Sequence, residues 1–139
     1  MNIAFFLLPK QEVVCVTRDS TLRQTLEKME FHRYSAIPIL GKNGSYWGTV
    51  TEGDLLWHMK NAKIDFENAS KHLLKDVPLR MKIKPVSIDA KMEDLISLAK
   101  VQNFVPVVDD MNRFIGIVRR SQIIEYCEKF VSKESIQST

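Results

Sequence analysis

One pattern is written twice in this chain, and that repeat constrains its fold more than any other feature. Pro38-Ile39-Leu40 recurs as Pro106-Val107-Val108, a shift of 68. The same shift carries Tyr46-Trp47-Gly48 onto Phe114-Ile115-Gly116, Val50 onto Val118, and Leu55-Leu56 onto Ile123-Ile124. Upstream the shift is 70, taking Asp19 to Asp89, Leu22 to Met92 and Leu26 to Ile96, so the second copy is two residues shorter at the end of its first helix. Self-similarity at a fixed period is the mark of one supersecondary unit used more than once. Each copy alone would be about 55 residues, which leaves a marginal core, so the copies are expected to pack on each other.

Each copy reads as β-α-β-β-α. In the first, Val-rich Glu12 to Thr17 predicts a strand. Asp19 and Ser20 offer a helix start, and Thr21 to Gln24 has capping-box spacing. Leu22, Leu26 and Met29 then recur at helical spacing. Ser35 to Leu40 predicts a strand, Gly41 to Gly44 a turn, Ser45 to Val50 the partner strand of a hairpin, and Thr51 to Lys60 a helix. Residues 61–83 read as a linker, with a short helix at Asn68 to Lys75 that ends before Pro78. In the second copy Pro85 to Ile88 is a strand, Asp89 a cap, and Met92, Leu95, Ile96 and Ala99 an apolar helix face. Phe104 to Val108 and Arg113 to Val118 are strands about a turn at Asp109 to Asn112, and a helix follows from Arg119 to Phe130. The expected organisation is therefore 1–60 first motif, 61–83 linker, 84–131 second motif and 132–139 a flexible polar tail.

Composition narrows the class. A net charge of +3, with 20 Lys and Arg spread along the chain, is too weak and too dispersed to argue for nucleic acid. It is compatible with a small anionic ligand. Cys15 and Cys127 lie in apolar stretches with no C-x-x-C, which reads as two buried thiols in a reducing compartment. His32, His58 and His72 have no ligand-like spacing, so no metal is expected. The apolar run Ile3 to Leu8 is too short for a membrane span and lacks the flanks of a signal peptide, so the expected location is cytoplasmic. The five glycines form neither G-x-G-x-x-G nor a P-loop, and no nucleophile can be paired with a base by spacing, so no catalytic residue and no enzyme activity are expected.

The chain resembles a tandem pair of CBS (cystathionine β-synthase) domains, a Bateman module, over about residues 8–131. The first copy carries the likeness in Asp19-Ser20-Thr21-Leu22, Ser35-Ala36-Ile37-Pro38-Ile39 and Gly48-Thr49-Val50-Thr51-Glu52-Gly53-Asp54-Leu55. The second carries it in Asp89, Phe104-Val105-Pro106-Val107-Val108-Asp109 and Gly116-Ile117-Val118-Arg119-Arg120-Ser121-Gln122-Ile123. The resemblance implies an α/β (α+β) fold of two pseudo-symmetric repeats packed sheet to sheet, with two clefts between them. It implies a regulatory module that binds an adenosine-containing nucleotide of the AMP, ADP or ATP type, dimerises with a second copy, and controls a separate effector protein.

Thr51 and Asp54 stand where a strand becomes a helix. From spacing alone they form a capping box, with an acid at the positive end of the helix. The resemblance adds a ligand role. Asp54 would accept from ribose hydroxyls, since a carboxylate only accepts and a vicinal diol offers two donors, and Thr51 would contact ribose or phosphate. Thr49 lies beside them. Ile83, Lys84, Asn103 and Phe104 would complete that cleft, Phe104 by stacking if it is not simply core.

At the other cleft, Arg119 and Gln122 replace Thr51 and Asp54. This departs from the family pattern and removes the ribose acceptor. Arg119-Arg120 at a helix start is disfavoured by the helix dipole unless an anion docks there. The arginines otherwise stay solvated or pair with acids such as Glu125. Val14, Tyr34, Ser35 and Ile117 would line this cleft. Cyclic di-AMP, or any ligand with more than one phosphate, could use it. The alternative is a dimerisation scaffold that works through apolar helix faces bearing Leu55, Leu56, Trp57, Ile123, Ile124 and Tyr126, with no ligand.

Overall fold

The computed structural model describes residues 2–138, and side chains as far as residue 131. In chain order its elements are β1 (Leu8–Pro9), β2 (Val16–Thr17), α1 (Leu22–His32), β3 (Ala36–Leu40), β4 (Tyr46–Thr51), α2 (Glu52–Ala62), β5 (Val86–Ser87), α3 (Met92–Ala99), β6 (Phe104–Val108), β7 (Phe114–Arg119) and α4 (Arg120–Ser138). The chain divides into two compact units. One holds Val14–Ile83 with Met111–Phe114, and the other holds Met1–Val13, Lys84–Asp110 and Ile115–Thr139. No helix among the described residues is long and apolar enough to cross a membrane.

The first-repeat unit is built on a sheet of order β2-β3-β4. β2 runs parallel to β3, pairing Val16 with Ile39 and Thr17 with Leu40, and β3 runs antiparallel to β4. The ladder to β2 begins at Ile39, so Pro38, which has no N–H to give, interrupts no bond on that side. α1 starts as its spacing predicts: Thr21 Oγ1 accepts from Gln24 N–H at 3.1 Å and Gln24 Oε1 accepts from Thr21 N–H at 2.9 Å. It ends at Arg33 in the left-handed conformation, φ 61°. Leu22, Met29, Ile37, Ile39, Val50, Leu55, Leu74 and Val77 close the core.

The second-repeat unit has the sheet order β1-β7-β6-β5. β5 runs parallel to β6, pairing Val86 with Val107, and Pro106 again sits just before that ladder. α3 has eight residues against eleven in α1, three fewer where the change of shift anticipates two. Met92, Leu95, Val105, Val107, Val118 and Ile123 form the core.

Several boundaries differ from the sequence reading. The strand expected over Glu12 to Thr17 shrinks to Val16–Thr17, the two residues that pair with β3, and Lys10–Glu12 is a 3-10 turn. The helix expected over Asn68 to Lys75 is two 3-10 turns. Its backbone is spent elsewhere: Leu22 N–H donates to His72 O, Leu74 N–H to Ser20 O, and Lys75 N–H to Arg18 O. Asp89 does not cap α3. Lys91 holds that place, and its N–H donates to Asp94 at 3.1 Å. α4 runs to Ser138 rather than ending near Phe130. The tail expected over 132–139 thus has a helical backbone to Ser138, while its side chains and Thr139 lie outside the described residues.

Residues 2–13, which the sequence reading places with the first motif, group in the structure with the second-repeat unit. Ile3 is fully buried in its core, and β1 pairs antiparallel with β7, Leu8 opposite Ile117 and Pro9 opposite Gly116. Glycine is required there, because a Cβ on Gly116 would run into the Leu8 carbonyl oxygen. Gly48, its repeat equivalent, faces Leu79 instead, 2.8 Å from where a Cβ would stand. Each repeat's glycine strand is therefore covered by the segment that precedes the other repeat.

Candidate functional site

The α2 start is held by three bonds. Thr51 is the N-cap, and its Oγ1 accepts from Asp54 N–H at 3.2 Å. Asp54 Oδ2 accepts from Thr51 N–H at 2.9 Å, and Oδ1 accepts from Arg80 N–H at 2.8 Å. The carboxylate is only 2% exposed. Its charge sits at the positive end of α2, and its oxygens satisfy backbone donors that would otherwise lack partners. The capping box is thus present, and Asp54 carries a further duty that spacing does not reveal. Arg80 lies with its guanidinium 5.4 Å from the Trp57 ring centroid, and Lys60 Nζ lies 5.4 Å from the same ring.

Thr49 and Ile83 meet through a third residue. Tyr46 Oη lies 2.8 Å from Thr49 Oγ1 and donates to Ile83 O at 2.8 Å. Burial pushes the Tyr46 phenol up to about 12, and the bond to Thr49 pulls weakly the other way. Thr49 is 1% exposed and Ile83 7%, so both serve inside the unit. Val14 packs half-buried against the core. Tyr34 and Ser35 are exposed, and Tyr34 stacks on His32 at 5.4 Å with 14° between the rings.

The α4 start is built differently. Arg119 ends β7 and is exposed. Arg120, half-buried, opens α4, and its N–H donates to Asn103 O at 3.0 Å. Its Nε donates to Ala99 O at 2.9 Å and to Gln102 O at 3.1 Å. The cation therefore turns away from its own helix start and closes the carbonyl end of α3, where the dipole favours it. The expected choice between solvent and Glu125 is replaced by this clamp. Gln122 is half-buried, Asn103 exposed, and Phe104 and Ile117 are each 9% exposed. Lys84 is exposed, but its backbone is fastened at both ends. Its N–H donates to Gln102 Oε1 at 2.9 Å, and its carbonyl accepts from Gln102 Nε2 at 3.2 Å. Gln102 Nε2 also reaches Phe104 O at 3.2 Å.

Of the residues singled out in the sequence, Thr51 pairs with Asp54 and Thr49 joins Ile83 in one unit, and Lys84 joins Phe104 in the other. Three residues that hold them were not anticipated: Tyr46, Arg80 and Gln102. Gln102 is a polar residue two positions before β6 and 2% exposed. Nothing in its spacing marks it out, since what singles it out is burial. The first-repeat unit also carries an open groove of about 720 Å³ lined by Leu26, Met29, Leu55, Leu56, Met59 and Phe66, with Glu30, Arg33 and Glu52 at its rim. No group of three His, Cys, Asp or Glu among the described residues could hold a metal ion.

The model of one family, the CBS domain, matches residues 7–61 and again 74–129. A CBS domain-containing protein of Dictyostelium discoideum is 25% identical over 145 residues, covering 99% of this chain and all of its own length. The solved structure of Listeria monocytogenes CbpB in complex with c-di-AMP is similar at a TM-score of 0.81 and 21% identity, over 95% of this chain and 98% of that one. The structure of CBSX2 in complex with AMP is similar at a TM-score of 0.72 and 20% identity, over 93% and 97% of the two chains.

Proposed function

The chain belongs to the CBS domain family, and from that premise we propose that it is a cytoplasmic regulatory module, not an enzyme, which binds an adenine nucleotide and acts on a separate protein as a homodimer. The observation that carries this reading is its likeness, over more than nine tenths of both chains, to structures holding c-di-AMP and AMP. In this reading the α2 start takes the nucleoside part. Asp54 accepts from the ribose diol and Thr51 supplies a hydroxyl nearby; Asn103 and Lys84, of the second-repeat unit, are read separately as exposed polar contacts. The α4 start offers a second, separate place for phosphate: Arg119 is the exposed cation, and Arg120 keeps its place by clamping α3. Gln122, Val14, Tyr34, Ser35, Phe104 and Ile117 shape the surroundings. AMP, ADP or ATP would use the first start, and cyclic di-AMP would call on the arginines.

The test is thermal unfolding against adenosine, AMP, ADP, ATP and cyclic di-AMP, with GTP as control. A ligand at 100 times its dissociation constant that binds only the native state adds about 2.7 kcal/mol, a rise of several degrees. A selective rise with adenine ligands supports the reading. A flat panel with a stable dimer supports the alternative of a ligand-free scaffold. The observation favouring that alternative is the apolar groove, with Leu56 60% and Phe66 52% exposed.

A further inference from the structure

Asp54 has no idle oxygen. Oδ2 serves Thr51 N–H and Oδ1 serves Arg80 N–H, and the carboxylate is 98% buried by its surroundings. A ribose diol brings two O–H donors, and although each oxygen keeps a second lone pair, at 2% exposure those lone pairs are closed to a ligand until a neighbour moves aside. Of the two existing bonds, the one to Thr51 belongs to the helix cap and is tied to the start of α2. The other reaches a residue 26 positions away, on an exposed stretch outside any helix or strand. It is the bond a ligand can replace without unwinding α2.

The residue on that bond is an arginine whose side chain is parked rather than ion-paired. Its guanidinium lies over Trp57, and Lys60 sits over the same ring. Two cations on one ring repel each other, and if Arg80 leaves, the ring still keeps Lys60. A planar guanidinium presents two parallel donors and binds phosphate as a fork, which suits it better to phosphate than to an aromatic face exposed to water. The lifted backbone and the released side chain lie at the positive end of α2, where an anion is favoured.

We infer that Arg80 competes with the ribose for Asp54 and, once displaced, grips the phosphate of the nucleotide. This rests on the nucleotide reading above and adds a residue to it: Arg80 makes the site prefer a phosphorylated ligand over its nucleoside. Displacement also removes a cation from the face of Trp57, so binding carries its own optical signal.

The experiment uses the full chain with Trp47→Phe, which leaves Trp57 as the only tryptophan, and compares it with the same chain carrying Arg80→Ala. Arg80 is exposed, and the alanine keeps the backbone N–H that bonds to Asp54, so the fold is retained. Each protein is titrated with adenosine and with AMP, by calorimetry and by Trp57 emission. The expected result is that AMP binding changes Trp57 emission, and that Arg80→Ala weakens AMP about tenfold while adenosine binds as well as before or more tightly. If AMP binds with Trp57 emission unchanged, and the preference for AMP over adenosine survives Arg80→Ala, the role of Arg80 is wrong and the nucleotide reading stands. If calorimetry finds no binding of AMP or adenosine to the Trp47→Phe parent, both are wrong.

Discussion

The two repeats begin their last helices in opposite ways. At the start of α2 a buried carboxylate collects backbone N–H groups from Thr51 and Arg80. At the start of α4 an arginine stands in the matching region and reaches back to the carbonyls of Ala99 and Gln102. Both satisfy orphaned backbone groups, one with an acceptor at a positive helix end and the other with a donor at a negative one. The lesson is that a sequence repeat preserves the strand-helix junction but not the sign of the charge that finishes it. Since the sign decides which ligand group is welcome, two equivalent positions can serve different chemistry.

The glycine strands offer the sharpest way to break this comparison. Gly116→Ala forces a Cβ into the Leu8 backbone, which cannot rotate away, and should cost about 4 kcal/mol by expelling β1 and Ile3. Gly48→Ala meets only the end of the Leu79 side chain and should cost about 1–2 kcal/mol. Chemical denaturation of both variants measures the difference, and equal losses would show that the N-terminal segment contributes little.

The helix starts themselves come next. Asp54→Ala removes a cap and strands two N–H groups, an expected loss of about 3 kcal/mol. Gln122→Ala, at the matching position of the second repeat, should cost less than about 0.5 kcal/mol. Similar losses in urea titrations would mean that the two starts are alike after all.

A pH dependence is confined to the first repeat, where Tyr46 has Phe114 as its counterpart. The folded phenol sits near 12 against an ordinary 10.0. Folding therefore favours the neutral form. The stabilisation is complete below pH 10 and fades as pH rises from 10 towards 12, a change on the order of 3 kcal/mol. Tyr46→Phe should be less stable than the parent at pH 8 by about 1 kcal/mol, from the bonds lost to Thr49 and Ile83. That gap should narrow or reverse by pH 11.5. A gap that stays constant with pH would place the phenol in a wetter setting.

Much of this was legible from the residues. The doubled pattern anticipated the repeat, the shortened α3 and both proline strands. The Thr21 and Thr51 capping boxes followed from spacing, because a cap is a contact over three residues. What was not legible depends on distant contacts. β1 is two residues long and has no periodicity to read, so its partner strand could not be inferred. Arg80 and Asp54 are joined across 26 residues by a backbone N–H, which carries no side-chain signature. Arg120 was marked by its charge, but its direction was set by carbonyls at the end of α3. The continuation of α4 past Phe130 was signalled only by the absence of Gly or Pro from residues 131–138, where the apolar periodicity stops.

A calorimetric titration of the parent, Asp54→Asn and Arg119→Ala with adenosine, AMP and cyclic di-AMP separates the two helix starts. Asp54→Asn preserves the shape of the side chain and removes its charge. The account predicts that Asp54→Asn weakens adenosine and AMP by about tenfold, as expected for a lost bond to a charged acceptor. Arg119→Ala should leave adenosine unchanged and weaken cyclic di-AMP. If both variants bind all three ligands as the parent does, or lose all three equally, the two helix starts do not serve different ligand chemistry and the reading fails.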